Sequence, residues 1–168
     1  LEALGRLGDK VSVIILDLMM PEMNGLAFLN AMKDRGIEIP VIVQTGQGGI
    51  FLSGGDRRSL EPGENVAENC EIHDFNRVCT TYHPAVLFSG CGNAMRHNRI
   101  YDGPHNAILL WGNDHHIEFN EISHMGLDTD DAAAFYMGRN PSEQGNVIRH
   151  NYFHHIGSPS AWGTSAIY

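Results

Sequence analysis

The chain has 168 residues, enough for one ordinary domain or for two small ones. Its formal net charge of −9 argues against a surface for nucleic acid or for anionic membranes, because both bind basic patches. No stretch of the sequence is long and apolar enough to cross a membrane, so we expect neither nucleic acid nor membrane among its partners.

The composition changes near residue 50. Every histidine lies after residue 72, both lysines lie before residue 34, and all aromatic residues except Phe28 lie after residue 50. A single domain rarely shows such a division. We therefore predict a first unit over residues 1–50, a junction over 51–62 and a second unit over 63–168.

The first unit has the pattern of a strand, a helix and a second strand. Val11–Leu16 and Pro40–Gln44 are apolar runs typical of strands buried on both faces of a parallel sheet. Asp17 and Thr45 follow these strands, at the carboxyl edge where open α/β sheets place polar sites. An amphipathic helix between the strands is predicted from apolar residues at helical spacing: Leu26, Phe28, Leu29 and Met32.

Specific residues surround these strand ends. Asp17 is followed by Met20-Pro21 and Met23-Asn24-Gly25, and Thr45 follows the second strand. This arrangement resembles the receiver domain of two-component response regulators, which has a flavodoxin-like α/β fold. The resemblance implies that Asp17 accepts a phosphoryl group with the help of Mg²⁺, that Thr45 senses the phosphate, and that the partner is a histidine kinase.

The resemblance covers only the middle of a receiver. In the family pattern an acidic pair that helps bind Mg²⁺ precedes residue 1, and a lysine and two helices that belong after residue 50 do not follow. One carboxylate does not complete a near-octahedral Mg²⁺ site. We therefore expect a partial receiver whose Mg²⁺ site is incomplete and in which Asp17 is a solvated turn residue.

The second unit contains two interleaved repeats. One repeat is a polar residue followed by alternating apolar residues, and it starts at Asn65, Asn93, His115 and Asn146. The other is a short apolar strand led by alanine, at 85–90, 107–112 and 133–138. Two strands in each period of a little over twenty residues predict a right-handed parallel β-helix of about four coils, an all-β solenoid. Asparagines at fixed turn positions are expected to hydrogen-bond from coil to coil.

Stacking of the coils predicts a polar column. Counting back two residues from each alanine-led strand places His83, His105 and Asp131 together. The same surface would carry further polar and aromatic residues: Trp111, Asp114, Asp130, Tyr136 and Arg139. Carboxylates flanked by aromatic rings are typical of a carbohydrate groove, so we predict Asp130 and Asp131 as catalytic and the other residues as substrate-binding. We expect no metal site and no cofactor for this unit, because no three histidines share an obvious ligand geometry.

Residues 63–168 resemble secreted β-helix enzymes of glycoside hydrolase family 141. The resemblance is carried by residues 104–108, 112–115, 129–133 and 145–151, which include the Thr129-Asp130-Asp131 motif. It implies a plant-type polysaccharide or oligosaccharide as the partner and two catalytic Asp residues. The second Asp is expected in the coil after Tyr168, so we expect this fragment to be inactive.

Three functions remain open at this point: a polysaccharide-degrading enzyme, a phosphorylation-dependent regulator, and a carbohydrate-binding β-helix without catalysis. The compartment is not fixed, because a receiver implies the cytoplasm and the β-helix implies secretion or the periplasm. The join also removes elements from both halves. That favours a misassembled reading frame, a chimera of two genes, over a working fusion.

Overall fold

The computed structural model describes residues 14–17, 31–32, 35, 41–44, 48–158 and 163–168. The chain divides into two units, Leu1–Thr45 and Gly46–Tyr168. Within the described residues, no helix is long and apolar enough to cross a membrane. The strands are β1 (Ile14–Asp17), β2 (Val41–Gln44), β3 (Ile50–Asp56), β4 (Glu61–Pro62), β5 (Val66–Glu68), β6 (Glu71–His73), β7 (Val86–Gly90), β8 (Ala94–Arg96), β9 (Arg99–Gly103), β10 (Ile108–Leu110), β11 (His116–Glu118), β12 (Glu121–Met125), β13 (Ala132–Tyr136), β14 (Val147–Arg149), β15 (Tyr152–Ile156) and β16 (Thr164–Ile167).

The first unit contains a parallel pair of strands. β1 pairs with β2, and Asp17 lies opposite Gln44 at the carboxyl ends of both strands. Residues 31–32 are helical, within the segment predicted as the amphipathic helix. The remainder of that helix, the Met-Pro and Met-Asn-Gly segments and Thr45 lie outside the described residues.

The second unit is the predicted parallel β-helix. Strands one coil apart pair in parallel and build three sheets, ordered β16-β13-β10-β7-β3-β4, β14-β11-β8-β5 and β15-β12-β9-β6. Each coil contributes one strand to each sheet in turn, so four coils are described and β16 begins a fifth. β4 is the exception to the parallel pattern, because it folds back antiparallel on β3.

The first strand of this unit begins earlier than the repeats suggest. β3 pairs in parallel with β7, from Ile50 opposite Val86 to Gly54 opposite Gly90. The segment assigned to the junction, 51–62, therefore contains most of β3 and all of β4. The first coil lacks the alanine-led pattern of the later ones, and this hides the strand in the sequence.

Alternate residues of each strand fill the interior, as a pleated strand requires. The first sheet stacks Ile50, Val86, Ile108 and Phe135 level with one another, and Ile167 of β16, which is 54 % exposed, continues the row. The second sheet stacks Ala67, Met95, Ile117 and Ile148, and the third stacks Ile72, Ile100, Ile122 and Phe153. These rows account for most of the buried apolar cluster, so the core runs along the axis of the coil.

The corners between sheets use left-handed backbone at equivalent positions. After the second sheet this position is held by Asn69, His97, Phe119 and His150, with φ between 54° and 58°. In the third sheet it is held by Asp74, directly after β6, and by the next-to-last residues of β9, β12 and β15, which are Asp102, His124 and His155, with φ between 51° and 55°. Left-handed φ disfavours β-branched side chains, and Asn, Asp and His tolerate it best, which explains much of the residue choice at these corners.

Buried asparagine side chains join the coils at one corner. Asn120 Oδ1 accepts hydrogen bonds from the backbone N–H of Asn98 at 3.0 Å and from its amide Nδ2 at 2.9 Å. Asn151 Oδ1 does the same for Asn120, at 2.9 Å in both bonds. Each amide also donates to a backbone carbonyl of the preceding coil, Met95 O in the case of Asn120. The predicted coil-to-coil hydrogen bonding is confirmed.

Replacing Asn120 with alanine should destabilise the second unit strongly. Asn120 is 2 % exposed, and its loss leaves the Asn98 backbone N–H and the Met95 carbonyl buried without this partner. We expect a loss of about 3 kcal/mol in the free energy of unfolding, measured by urea denaturation. Asn65→Ala is the control. Asn65 is exposed at the end of another row of hydrogen bonds between coils, and its loss should lower the free energy of unfolding by under about 1 kcal/mol. Equal losses in both variants would contradict the role of burial.

The hydrogen-bonded row of Asn98, Asn120 and Asn151 is one ladder between coils, and a second ladder at another corner has a histidine in place of one asparagine. Its members are Asn65, Asn93, His115 and Asn146, the starting residues of the sequence repeat. The backbone N–H of Asn93 donates to His115 Nδ1 at 3.0 Å, and His115 Nε2 lies 3.2 Å from the carbonyl oxygen of Trp111. His115 is therefore neutral, with its proton on Nε2. Burial holds the pKa of His115 below its ordinary value.

The depressed pKa of His115 predicts a loss of stability in mild acid. As the pH falls below about 6.5, His115 binds a proton in the unfolded chain but stays neutral in the folded chain. The free energy of unfolding therefore decreases as the pH falls from about 6.5 towards the pKa of His115 in the folded state. His115→Asn restores the ladder residue of the other coils. Its urea midpoint should fall less than that of the wild type between about pH 7.5 and about pH 5.5.

In His115→Asn the dependence of the urea midpoint on pH should be reduced rather than abolished, because burial also lowers the pKa of His105. His97→Asn, at an exposed left-handed corner, is the matched control and should keep the wild-type slope. An unchanged slope in His115→Asn would show that this imidazole does not carry the effect.

Candidate functional site

A groove of about 550 Å³ lies against the outer face of the first sheet. Three aromatic side chains, Tyr82, Trp111 and Tyr136, line it together with two arginines, Arg57 and Arg139. The remaining lining residues are Leu109, Gly138, Asn140 and Glu143. The structure thus brings together three of the predicted substrate-binding residues, Trp111, Tyr136 and Arg139. Sequence reasoning missed Tyr82, Arg57 and Glu143.

Strand geometry positions the aromatic side chains. Tyr136 ends β13 level with Leu109 of β10, on the face opposite the buried Phe135. Its ring stacks on Tyr168, with 5.3 Å between centroids and 6° between planes. Trp111 directly follows β10 and leaves 45 % of its surface exposed. The groove therefore presents open aromatic rings beside a strand surface.

Arg57 is held in place by residues from two later coils. Its Nε donates to Asn113 Oδ1 at 2.9 Å, and its NH2 donates to Ser142 Oγ at 3.1 Å. Its NH1 lies 4.0 Å from Glu143 Oε1. A guanidinium fixed at three points forms a rigid wall of the groove and keeps only part of its hydrogen-bonding capacity for a ligand.

Glu143 is the one carboxylate among the residues that line the groove. Its side chain is 3 % exposed, and its Oε1 accepts a hydrogen bond from Asn140 Nδ2 at 3.2 Å. The buried Oε2 has no hydrogen-bond partner among the described residues. The length of its loop could have identified Glu143 as a candidate. The connection between β13 and β14, residues 137–146, is longer than the equivalent connections 91–93 and 111–115. Long loops on a regular scaffold often carry function.

The predicted column of His83, His105 and Asp131 is wrong in its last member. Ile108 pairs with both Val86 and Phe135, so Ala107 is level with Ala134 rather than with Ala133. Counting back two residues then places Ala132, not Asp131, level with His105. A shift of one residue moves a side chain to the other face of the strand. Asp131 is exposed and has left-handed backbone, φ 49°.

A buried polar group lies where this column was predicted. His105 is 6 % exposed, and its Nδ1 has no hydrogen-bond partner among the described residues. The neighbouring Asn106 donates from Nδ2 to Ala133 O at 2.7 Å, while its Oδ1 is buried without a partner in the described part of the chain. The ring of His105 lies 4.9 Å from that of Tyr82, which also lines the groove. Tyr82 therefore connects the groove with this polar group.

The other predicted residues lie apart from the groove lining. Asp130 is half-buried and Asp131 exposed, both at the amino end of β13, whereas Tyr136 is at its carboxyl end. Asp114 lines a different cleft of about 480 Å³, where its Oδ2 lies 3.7 Å from Cys91 Sγ. His83 is half-buried. In the first unit Asp17 ends β1, and Thr45 lies outside the described residues.

Comparisons with known proteins agree with this architecture. Residues 39–167 match the family model described as the right-handed beta helix region. The chain belongs to the right-handed β-helix family. Residues 2–53 of this β-helix protein also match the model of the response regulator receiver domain. The predicted receiver fragment and the predicted right-handed β-helix are both confirmed. The two matches overlap at residues 39–53.

The curated relatives match this chain over short stretches. A protein-glutamate methylesterase/protein-glutamine glutaminase of Treponema denticola is 58 % identical over 31 residues, 18 % of this chain and 8 % of the relative. The response regulator SaeR of Staphylococcus epidermidis is 43 % identical over 44 residues, 26 % of this chain and 19 % of the relative. The β-helix protein thus spans under a fifth of the length of each relative. No solved structure gives a significant match.

Proposed function

We propose that the groove on the first sheet binds a plant-type polysaccharide or oligosaccharide, and that the second unit derives from a polysaccharide-degrading glycoside hydrolase. The observation that supports this most is the convergence of Tyr82, Trp111 and Tyr136 on one groove. Sugar rings carry C–H faces that stack on aromatic rings, and their hydroxyl groups need polar partners. Arg139 and Asn140 supply donors at the same place.

Binding is better supported than hydrolysis in this chain. Glycoside hydrolysis uses two carboxyl groups on either side of the scissile bond, about 5–9.5 Å apart. Glu143 is the one carboxylate of the groove lining, and Asp130 and Asp131 are outside it. We therefore propose a saccharide-binding β-helix that releases no product by itself, with Asp130 or Asp131 as one of the two catalytic acids of the parent enzyme.

Removal of the Trp111 ring should weaken binding to xylan-type chains. Trp111→Ala deletes one stacking platform, worth about 1–2 kcal/mol, so we expect roughly a tenfold loss of affinity in isothermal titration with xylo-oligosaccharides. Phe119→Ala is a matched control, because Phe119 is 48 % exposed against 45 % for Trp111 and lies outside the groove lining. Equal effects of the two changes, or binding of no saccharide by the wild type, would contradict the proposal.

The catalytic assignment is testable in a longer parent enzyme that carries the same coil. There, Asp130→Asn or Asp131→Asn should lower turnover by about 10²–10⁴ while leaving substrate binding nearly unchanged, as expected for a general acid or base. Asp128→Asn, at an exposed carboxylate two residues before Asp130, is the control and should retain turnover. Full activity of both aspartate variants would remove these residues from the mechanism.

The receiver match favours a second candidate function, phosphoryl transfer to Asp17. Asp17 lies at the carboxyl end of β1, beside Gln44, as a phosphoacceptor on this fold must. Among the described residues of the first unit Asp17 is the one carboxylate, and one carboxylate does not complete a Mg²⁺ site, so we propose that Asp17 does not accept the phosphoryl group. Intact mass measured after incubation with acetyl phosphate and Mg²⁺ should then show no adduct. An adduct that Asp17→Asn abolishes would establish a working receiver instead.

A further inference from the structure

Three imidazole rings meet near the carboxyl ends of β12 and β15, away from the groove. His154 and His155 are consecutive residues of β15, and their Nδ1 atoms lie 2.6 Å apart. The ring of His124, one coil earlier, stacks on that of His155 with 4.9 Å between centroids and 9° between planes. None of these residues takes part in the proposed saccharide groove.

A neighbouring carboxylate fixes the tautomer of His154. Its Nε2 lies 3.2 Å from Glu121 Oε1, and an ionised carboxylate only accepts hydrogen bonds. Nε2 of His154 therefore carries the proton, and in the neutral ring Nδ1 keeps its lone pair. That lone pair accepts a hydrogen bond from Nδ1–H of His155, and the neutral His155 ring can instead carry this proton on Nε2, which leaves both Nδ1 atoms able to bind a metal ion. A carboxylate behind the remote nitrogen is the usual support of a histidine that binds metal.

The surrounding groups hold both rings in place. Tyr152 stacks on His154 with 4.4 Å between centroids, while His124 covers one face of His155. Arg99 Nε lies 3.7 Å from Glu121 Oε1, and Asp102 Oδ1 lies 4.0 Å from His124 Nδ1. His155 is exposed, so an ion from solvent has access to the space beside the two Nδ1 atoms.

We propose that His154 and His155 form a two-histidine chelate for Cu²⁺ or Ni²⁺ through their Nδ1 atoms. With metal–nitrogen bonds of about 2.0–2.1 Å, a nitrogen separation of 2.6 Å corresponds to an angle of about 80° at the metal. This angle is near the 90° of adjacent positions in the square-planar geometry that Cu²⁺ and Ni²⁺ prefer. Tetrahedral Zn²⁺ needs a separation of about 3.3 Å and fits less well.

The site has two protein ligands. Among the described residues, no group of three or more His, Cys, Asp or Glu side chains is placed to hold a metal ion. Water fills the remaining positions, and the ion competes with protons for both imidazoles. Cu²⁺ should therefore bind more tightly than Ni²⁺ or Zn²⁺, following the general affinity order of the divalent ions.

Titration of the full chain with CuCl₂ tests the chelate. Isothermal titration, together with the visible and electron paramagnetic resonance spectra of Cu²⁺, reports affinity, stoichiometry and nitrogen coordination. We expect one Cu²⁺ per chain at the tightest site, with at least a tenfold loss of affinity in His154→Gln and in His155→Asn. Asn suits the left-handed backbone of residue 155, so this variant should fold. Glu121→Gln should weaken binding about tenfold by loosening His154.

The control removes two histidines in a similar setting. His97 and His150 stack on opposite sides of Phe119 with the same left-handed backbone, and no short contact between their ring nitrogens is present in the described structure. His97→Asn with His150→Asn should leave the tightest Cu²⁺ site unchanged. Comparable losses in this double variant and in His155→Asn would mean dispersed surface binding. That result, or wild-type affinity in His155→Asn, would overturn the proposal.

Discussion

Buried side-chain amides that accept the backbone N–H of the preceding coil hold the second unit in register. A parallel coil must turn three times in every repeat, and each turn interrupts the backbone pairing of the sheets. Asn98, Asn120 and Asn151 satisfy the interrupted groups at one corner, and Asn93, His115 and Asn146 do so at another. Because each residue in a ladder serves its neighbour, the coils can stack only at one rotational setting, and the apolar rows of the core follow from it.

The same regularity explains where the groove arises. Side chains on the outer faces of the sheets are not needed for stacking, so they can vary in chemistry without changing the fold. The groove depends on departures from the repeat: Arg57 from the β3–β4 hairpin, Tyr82 from the segment before β7, and Glu143 from the long β13–β14 connection. The regular strands contribute a flat floor, and the irregular loops give it depth.

The sequence predicted the parts of the structure that the repeat controls. Asparagine at a fixed phase, followed by alternating apolar residues, identified both the ladders and the rows of the core. It did not fix the register at Ala132-Ala133-Ala134, because alanine is small enough for either face of a strand. Phe135 decides the register, since its large ring must be buried level with Ile108. The error moved Asp131 out of the predicted column.

Arg57 and Glu143 were missed for a different reason. Their contact joins residues 86 positions apart in the chain, and both lie in segments that no repeat describes. The pairing depends on how far each loop extends over the outer face of the first sheet. Periodicity gives the height of a residue along the coil but says nothing of loops that lean across several coils.

The cross-coil contacts of Arg57 bear on how the solenoid unfolds. In most repeat proteins each repeat touches only its neighbours, so the terminal repeats can fray one at a time. Arg57 of the first coil hydrogen-bonds to Asn113 in the third coil and to Ser142 in the fourth, so its contacts are not limited to the neighbouring coil. Fraying of the first coil therefore also releases a wall of the groove and its connection to the fourth coil. This couples local opening at one end of the coil to the shape of the groove several strands away, and makes loss of the groove more cooperative than loss of any single coil.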